Sequence, residues 1–439
     1  MSNVPMTLPE LVIATQAQPF SHTTTFLRLD DGRLLHASFK AFQYSDDDGL
    51  TWTEPGIMRD INGNEVGGSC TSLVKLSGKN QIGLAGQTPL NPDIPIWDSL
   101  QMLFWRSNDN GRTWEPPVPI SAPHMVCQAL QDVLLRTSSG RIILPAFTSM
   151  GQQAGPDNRI TPMQGKLVHN QFVGTSGHFF DSHFTAVIVY YSDDDGRTWQ
   201  RNQDDALIIM LDWSMIFSYV NEPTVTELKP GRLLMFMRNG LGRIFQAWSN
   251  DNGTTWTRPQ PTVLASATTP SQLRTLPNGH LLCVWNQETA EEIKRGYNRT
   301  RLSSAISRDG GRVWEFFQNI ESIHETTRVE PGPIEPTRPA ELYFPAGQPA
   351  VVRDPQYIEP ACAVHTRHSY PSVHVDKDRV IVAYSYRDLY EPHPTEAQLV
   401  RGDWTYPQRL KILPLKWFYG GKEPADNPFL KEAYAPAKP

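Results

Sequence analysis

An octet of the form Ser-x-Asp-x-Gly-x-Thr-Trp recurs along the chain, and it restricts the possible folds more than any other feature. Copies stand at Ser45–Trp52, Ser107–Trp114, Ser192–Trp199 and Ser249–Trp256. A fifth, Ser307–Trp314, has Val313 in place of Thr. Each follows a short apolar run such as TAVIVYY, so the octet reads as a tight turn between two strands. The Gly supplies a positive φ. The Ser and Asp side chains can bond turn amides, and the Trp can anchor the turn on the sheet.

A second pattern occurs six times: an apolar strand, a polar turn and another apolar strand. The copies are FLRLDDGRLLHASF, SLVKLSGKNQIGLAG, VLLRTSSGRIILPAF, TVTELKPGRLLMFMR, QLRTLPNGHLLCVWN and SVHVDKDRVIVAYS. Each predicts a β-hairpin. An octet follows the first five; AQLVRGDWTYPQRLKI stands at the sixth place. Self-similar units of this kind stack into repeat architectures. Six units of four strands predict an all-β fold, a six-bladed β-propeller of four-stranded antiparallel blades. Residues 1–439 are expected to form one such unit, with blades over about 10–415 and a tail beyond. Leu11–Thr15 is expected to supply the strand that closes the ring. No sustained helical period is present, so helix should be scarce.

Composition narrows the function classes. The chain has 439 residues, 39% hydrophobic and 20% charged, with a net charge of −6. No basic stripe suggests a nucleic-acid partner, and no apolar run reaches the ~18 residues of a membrane helix. Met1–Phe20 lacks the basic cluster and apolar core of a signal peptide. The expectation is a cytoplasmic chain, or an exported one whose signal has been removed. Cys70, Cys127, Cys283 and Cys362 share no metal-ligand spacing, and are expected to be buried free thiols.

The octets match Asp boxes, and with six blades the chain resembles the sialidase (neuraminidase) superfamily over roughly residues 10 to 415. The resemblance implies the sialidase fold, a glycan substrate and no cofactor or metal. It also implies a site near the axis, on the face away from the boxes. The loops on that face include Arg59–Cys70, Gln87–Leu100, Thr148–Thr185, Tyr219–Glu222, Asn286–Arg301 and Ile320–Tyr370. Members resemble one another in three arginines on the substrate carboxylate, a Tyr nucleophile, a Glu that takes its proton and an Asp acid/base. A neutral Tyr suits a sugar whose own carboxylate would repel an anionic nucleophile. Arginine suits the carboxylate because its fork bonds two oxygens and stays charged.

By this resemblance Glu222, in Asn221-Glu222-Pro223, matches the family Glu. Arg238 in MFMRN and Arg301 in RTRLSSAIS match the second and third arginines. Tyr370 in HSYPSV matches the nucleophile. The two arginines are expected to converge on one anionic site. The first family arginine has no match, because His22-Thr23-Thr24 stands where Arg-Ile-Pro would. The link Phe39–Phe42 is too short to hold the family's Asp loop. His22 is a candidate to bond an anionic or hydroxyl group. Asp60 is the candidate acid, with Arg59 beside it. Arg295 and Tyr297, in EEIKRGYNRTR, are candidate pocket residues. His178, Asp181 and His183 are spaced only superficially like metal ligands.

The resulting expectation is an exo-acting, sialidase-like glycoside hydrolase that releases a terminal acidic sugar, sialic acid or a related ulosonic acid. The alternatives are a propeller glycosidase or polysaccharide lyase acting on another sugar, and a non-catalytic glycan-binding propeller. Linkage preference, stereochemical outcome and oligomeric state are not legible in the sequence.

Overall fold

The computed structural model describes residues 6–20, 23–89, 100–122, 127–149, 166–168, 171–173, 185–204, 206–210, 217–218, 220–294, 299–335, 367–387 and 408–422. The chain folds as a six-bladed β-propeller. Blades are numbered here in chain order, and strands within a blade from the axis outward. Blade one begins with Thr25–Arg28, blade two with Ser69–Lys75, blade four with Val220–Lys229, blade five with Gln272–Thr275 and blade six with Arg367–Asp376. In blade three the first strand is interrupted: Cys127–Gln128 and Leu135–Arg136 both pair with Ile142–Ser149. The one described α-helix is the five-residue Ala290–Lys294. No helix among the described residues is long and apolar enough to cross a membrane.

The N-terminus closes the ring. Ala14–Gln18 pairs antiparallel with Gln408–Pro414 as the fourth strand of blade six. This strand starts three residues later than the expected Leu11–Thr15. Pro9–Leu11 forms a 3-10 turn instead, since Pro at the first helical position fixes φ and needs no amide partner.

Each sheet packs on a neighbour through both faces, so its central strands are apolar on both sides rather than alternating. Every residue of Thr185–Ser192, in blade three, is buried. Six apolar clusters result, one between each adjacent pair of blades. Blades three and four share Ile143, Val187, Val225 and Met235. Blades six and one share Ile381, Ile412, Phe26 and Leu34. Cys127 and Cys283 are buried free thiols; the side chains of Cys70 and Cys362 lie outside the described residues.

The axis is tied through one carboxylate. Asp132 Oδ1, in blade three, accepts from Thr25 Oγ1 at 2.9 Å and Ser72 Oγ at 2.8 Å. Its Oδ2 accepts from Arg274 Nη2 at 3.1 Å. Arg274 Nε donates to Val373 O at 3.0 Å. Blades one, two, three, five and six thus meet in one network.

The octets form one repeated turn. In the first, Gly49 N donates to Ser45 Oγ, Thr51 N to Asp47 Oδ1 and Thr51 Oγ1 to Asp47 Oδ2, at 2.8, 2.8 and 2.6 Å. Two successive residues have positive φ, as at Asp48 and Gly49. In the fifth copy the backbone bond of Val313 to Asp309 Oδ1 is kept at 2.9 Å, and the hydroxyl bond has no counterpart. Val313 is 56% exposed, so Val313→Thr can restore the bond without disturbing the core. A gain of about 0.5–1 kcal/mol is expected, the usual net value of one hydrogen bond. A shift of the urea midpoint to higher denaturant checks it; an unchanged midpoint would show the hydroxyl to be dispensable.

Candidate active site

On the face opposite the octets, the innermost strands of blades two, four and six share one irregularity. Asn221 pairs with Arg238 and Thr224 with Phe236, so Glu222 and Pro223 together oppose one residue. Ser369 pairs with Ser385 and Ser372 with Ala383, so Tyr370 and Pro371 do the same. Blade two repeats the jump between Ser69 and Ser72. Each is a β-bulge, which re-aims a side chain at a strand end. Proline has no amide for the ladder, so Glu-Pro and Tyr-Pro favour the bulge at these points. Glu222 has φ of 40° and Tyr370 of 54°. Non-glycine residues rarely adopt such values, and a preceding position to proline favours extended backbone. This strain costs roughly 1–3 kcal/mol at each residue, and the packed ring holds it.

The two bulges bring Glu222 and Tyr370 into contact. The Tyr370 hydroxyl donates to Glu222 Oε1 at 3.0 Å. Arg238 Nη1 donates to Glu222 Oε2 at 2.6 Å and lies 3.4 Å from the Tyr370 hydroxyl. The Glu222 and Arg238 side chains are fully buried, and Tyr370 is 5% exposed. Burial pushes the Tyr370 phenol up, and the Glu222 carboxylate adds to the rise; Arg238 and Arg299 oppose it. The phenol is therefore protonated at neutral pH, with a carboxylate already bonded to its proton.

Arg299 was not among the expected site residues. Its guanidinium lies 5.1 Å from the Tyr370 ring centroid, within cation–π range. Its Nη1 donates to Ser369 Oγ at 3.2 Å, and the residue has φ of 66°. Arg301 is held by groups of blade five. Its Nη1 bonds Gln287 O at 2.6 Å, and its Nη2 bonds Glu292 Oε1 at 3.0 Å and Thr326 Oγ1 at 3.1 Å. Glu292 also accepts from Thr289 N at 2.7 Å and gives its own amide to Thr289 Oγ1 at 2.9 Å, a capping box at the start of the short helix. Arg301 thus fastens the loop that carries Arg299. The two arginines sit two residues apart in Asn-Arg-Thr-Arg, and their number in the sequence does not say which one turns to the axis.

Asp60 is a turn cap. Its Oδ1 accepts from Asn62 N at 2.9 Å and Asn64 N at 2.8 Å, and its Oδ2 from Asn64 Nδ2 at 3.0 Å. The Asn64 side-chain bond and these amides hold its carboxyl below the ordinary range. These bonds are those of a turn-capping carboxylate. Arg59 is exposed and donates to Gly63 O at 2.9 Å. His22, Arg295, Tyr297, His178, Asp181 and His183 lie outside the described residues. Among the described residues no group of three His, Cys, Asp or Glu side chains is placed to hold a metal. The link at Phe39 is a two-residue turn, with the strands Leu34–Ser38 and Ala41–Ser45 on either side, as its length implied.

Six four-stranded blades, five octets on one face and a buried Glu–Tyr–Arg cluster on the other define a propeller of the sialidase type. Residues 88–382 match the family model described as a BNR repeat-like domain. The chain belongs to that family. It is 25% identical over 234 residues to a protein named sialidase from Bacteroides fragilis (strain YCH46), covering 51% of this chain and 35% of that one. The chain thus spans about a third of that relative's length. Among solved structures, it resembles the Hadza microbial sialidase Hz136 at 14% identity, with a TM-score of 0.53 over 93% of this chain and 67% of that one. It also resembles the α-L-arabinanase of Penicillium chrysogenum at 15% identity, with a TM-score of 0.50 over 94% and 97% of the two chains. At these identities the likeness is one of fold.

Proposed function

We propose that this chain is an exo-acting glycoside hydrolase that releases a terminal acidic sugar, with sialic acid or a related ulosonic acid first. The observation that supports this reading best is the buried contact of the Tyr370 hydroxyl with Glu222. Tyr370 Oη attacks the anomeric carbon, its proton passes to Glu222 Oε1, and the glycosidic C–O bond breaks as the leaving oxygen takes a proton from solvent, which the attacking water of the second step gives back. Water then hydrolyses the tyrosyl–sugar bond, with Glu222 returning the proton. Arg238 holds Glu222 in place while its charge offsets that of the carboxylate. Arg238 and Arg299, both beside the Tyr370 ring or hydroxyl, supply the positive field for the sugar carboxylate. Arg301 positions Arg299 through the loop.

The test is a panel of chromogenic glycosides that includes an α-sialoside and an α-L-arabinoside. Release from the sialoside is expected; turnover of a neutral glycoside alone would replace the acidic sugar with the second reading. That reading is favoured by His22-Thr23-Thr24, which stands where the family carries an arginine. A variant pair sharpens the assignment. Arg299→Ala is expected to raise KM for the acidic substrate about 10- to 100-fold, the loss of one charge-assisted bond. Arg301→Lys keeps the charge and one bond to Glu292, and a rise of under about 5-fold is expected. The reverse order would return the carboxylate to Arg301.

A further inference from the structure

The fifth octet departs from the others at a second position. The residue before its central Gly is Gly310, where the other four carry Asp48, Asn110, Asp195 and Asn252. Each of those four reaches the hairpin of the preceding blade round the ring. Lys377 Nζ donates to Asp48 Oδ1 at 3.2 Å, and Asn110 Nδ2 to Asp31 Oδ2 at 3.3 Å. Ser77 N donates to Asp195 Oδ1 at 3.1 Å, and Asn252 Nδ2 to Ser139 Oγ at 2.7 Å. Gly310 has no side chain for such a bond, and a Cβ placed there would meet nothing within 4 Å. A groove of about 700 Å³ lies at this point, between the fifth octet and the hairpin of blade four. That size falls in the range of small-ligand clefts, roughly 300–1,000 Å³.

The groove gathers cations. Lys229 and Arg232 come from the hairpin and Arg312 from the octet. Lys229 and Arg312 are exposed and Arg232 is half-buried. None of the three is in an ion pair among the described residues. The carboxylate among them, Asp309, is exposed and spends only one oxygen on its turn. Its Oδ1 accepts from Ser307 Oγ, Arg312 N and Val313 N at 2.8, 3.0 and 2.9 Å. The Oδ2 atom takes a Thr hydroxyl in each of the other octets, and with Val313 here it takes none. Trp248, half-buried, and Val263, 59% exposed, add an apolar wall. Both departures of the fifth octet thus leave groups open toward one groove.

Three cations on a chain of net charge −6 make a local site for anionic groups. Arginine bonds carboxylates and sulfates in two places. The open Asp309 Oδ2 suits a hydroxyl donor, and the apolar wall suits the face of a ring. A sugar chain with acidic groups carries all three features. An added peptide strand fits less well. Along the edge strand Gln260–Ala265, Pro261 has no amide, and Leu264 N is taken by Thr262 Oγ1 at 3.1 Å.

We propose that this groove binds an acidic oligosaccharide, with sulfate or carboxylate groups on pyranose rings, at a second site on the face away from Glu222 and Tyr370. The site does not depend on the glycosidase reading. The probe is a chondroitin sulfate tetrasaccharide, titrated calorimetrically into the whole chain, and wild type is expected to bind it. The double variant Arg232→Gln with Arg312→Gln should bind about tenfold more weakly or worse, the loss of charge-assisted bonds. Gly310→Asn supplies the bridge that Asn110 and Asn252 make, and should lose binding while Tm stays equal or rises. Val313→Thr, which occupies Asp309 Oδ2, should weaken binding about threefold, the net value of one hydrogen bond. Two controls should bind as wild type does: Lys79→Gln, which removes an exposed charge from the hairpin of blade two, and Arg299→Ala at the central site. The proposal is overturned if wild type does not bind the tetrasaccharide, or if the double arginine variant or Gly310→Asn binds it equally. It is also overturned if Lys79→Gln loses as much, if Arg299→Ala abolishes binding, or if tetraglutamate binds as tightly as the sugar.

Discussion

Tyr370→Phe is expected to abolish turnover of any glycoside that the wild-type chain cleaves, by on the order of 10³-fold or more, with the fold intact. The change deletes one oxygen and keeps the ring, so the bulge and the Arg299 contact remain. Removing the buried hydroxyl leaves Glu222 Oε1 without that donor, at a cost of about 1–2 kcal/mol in stability. Arg238 still bonds the other oxygen. Glu222→Gln should have nearly the same effect on turnover. A neutral amide cannot take the phenolic proton, and a general base contributes roughly 10²–10⁴-fold. The double variant should be little slower than either single one, because residues that act as a unit are not additive. Mass spectrometry on the wild type with a slow substrate should show a sugar adduct on the peptide containing Tyr370, and none in Tyr370→Phe. Full activity in Tyr370→Phe would remove the nucleophile and point to an inverting hydrolase or a lyase on the same scaffold.

Asp132→Ala is expected to give the largest loss of stability of any single polar substitution in the ring, about 3–5 kcal/mol. That is the usual range when one partner of a buried ion pair is removed. The loss would leave Thr25, Ser72 and Arg274 without their shared acceptor. Burial pushes the Asp132 carboxyl up, and Arg274 and the two hydroxyls oppose the rise. Asp132→Asn keeps the shape and an acceptor oxygen and should lose less. Chemical denaturation measures both. A loss under 1 kcal/mol in Asp132→Ala would mean that interblade apolar packing alone holds the axis.

The repeat was readable because its period is set by local chemistry: Ser and Asp fold back onto amides a few residues away, and Gly allows the turn. The blade count and the box positions follow from such short-range bonds. The inner site is a different kind of object. Glu222, Arg238 and Tyr370 come from blades four and six, and a family resemblance was needed to pair residues so far apart in sequence. The bulges had a local signal in Glu-Pro and Tyr-Pro within otherwise apolar strands. Arg299 and Arg301 could not be separated, since the choice depends on a left-handed backbone at Arg299 and on Glu292 across the loop. Asp60 has local bonds of its own. An Asp in Asp-x-Asn-Gly-Asn is a strong turn former, and its bonds to Asn62 and Asn64 outweigh its nearness to the site face.

The bulges in blades two, four and six have a consequence for how such a ring can change its chemistry. Alternate blades carry them, so three bent entries are spaced evenly round the axis, about a third of a turn apart. Those of blades four and six turn Glu222 and Tyr370 inward, with the hairpins behind them paired in register. A single substitution at such an entry can therefore swap a nucleophile, a base or a ligand while the interblade clusters stay as they are. The scaffold separates what must be kept from what can be replaced, and one ring can be refitted for several sugars.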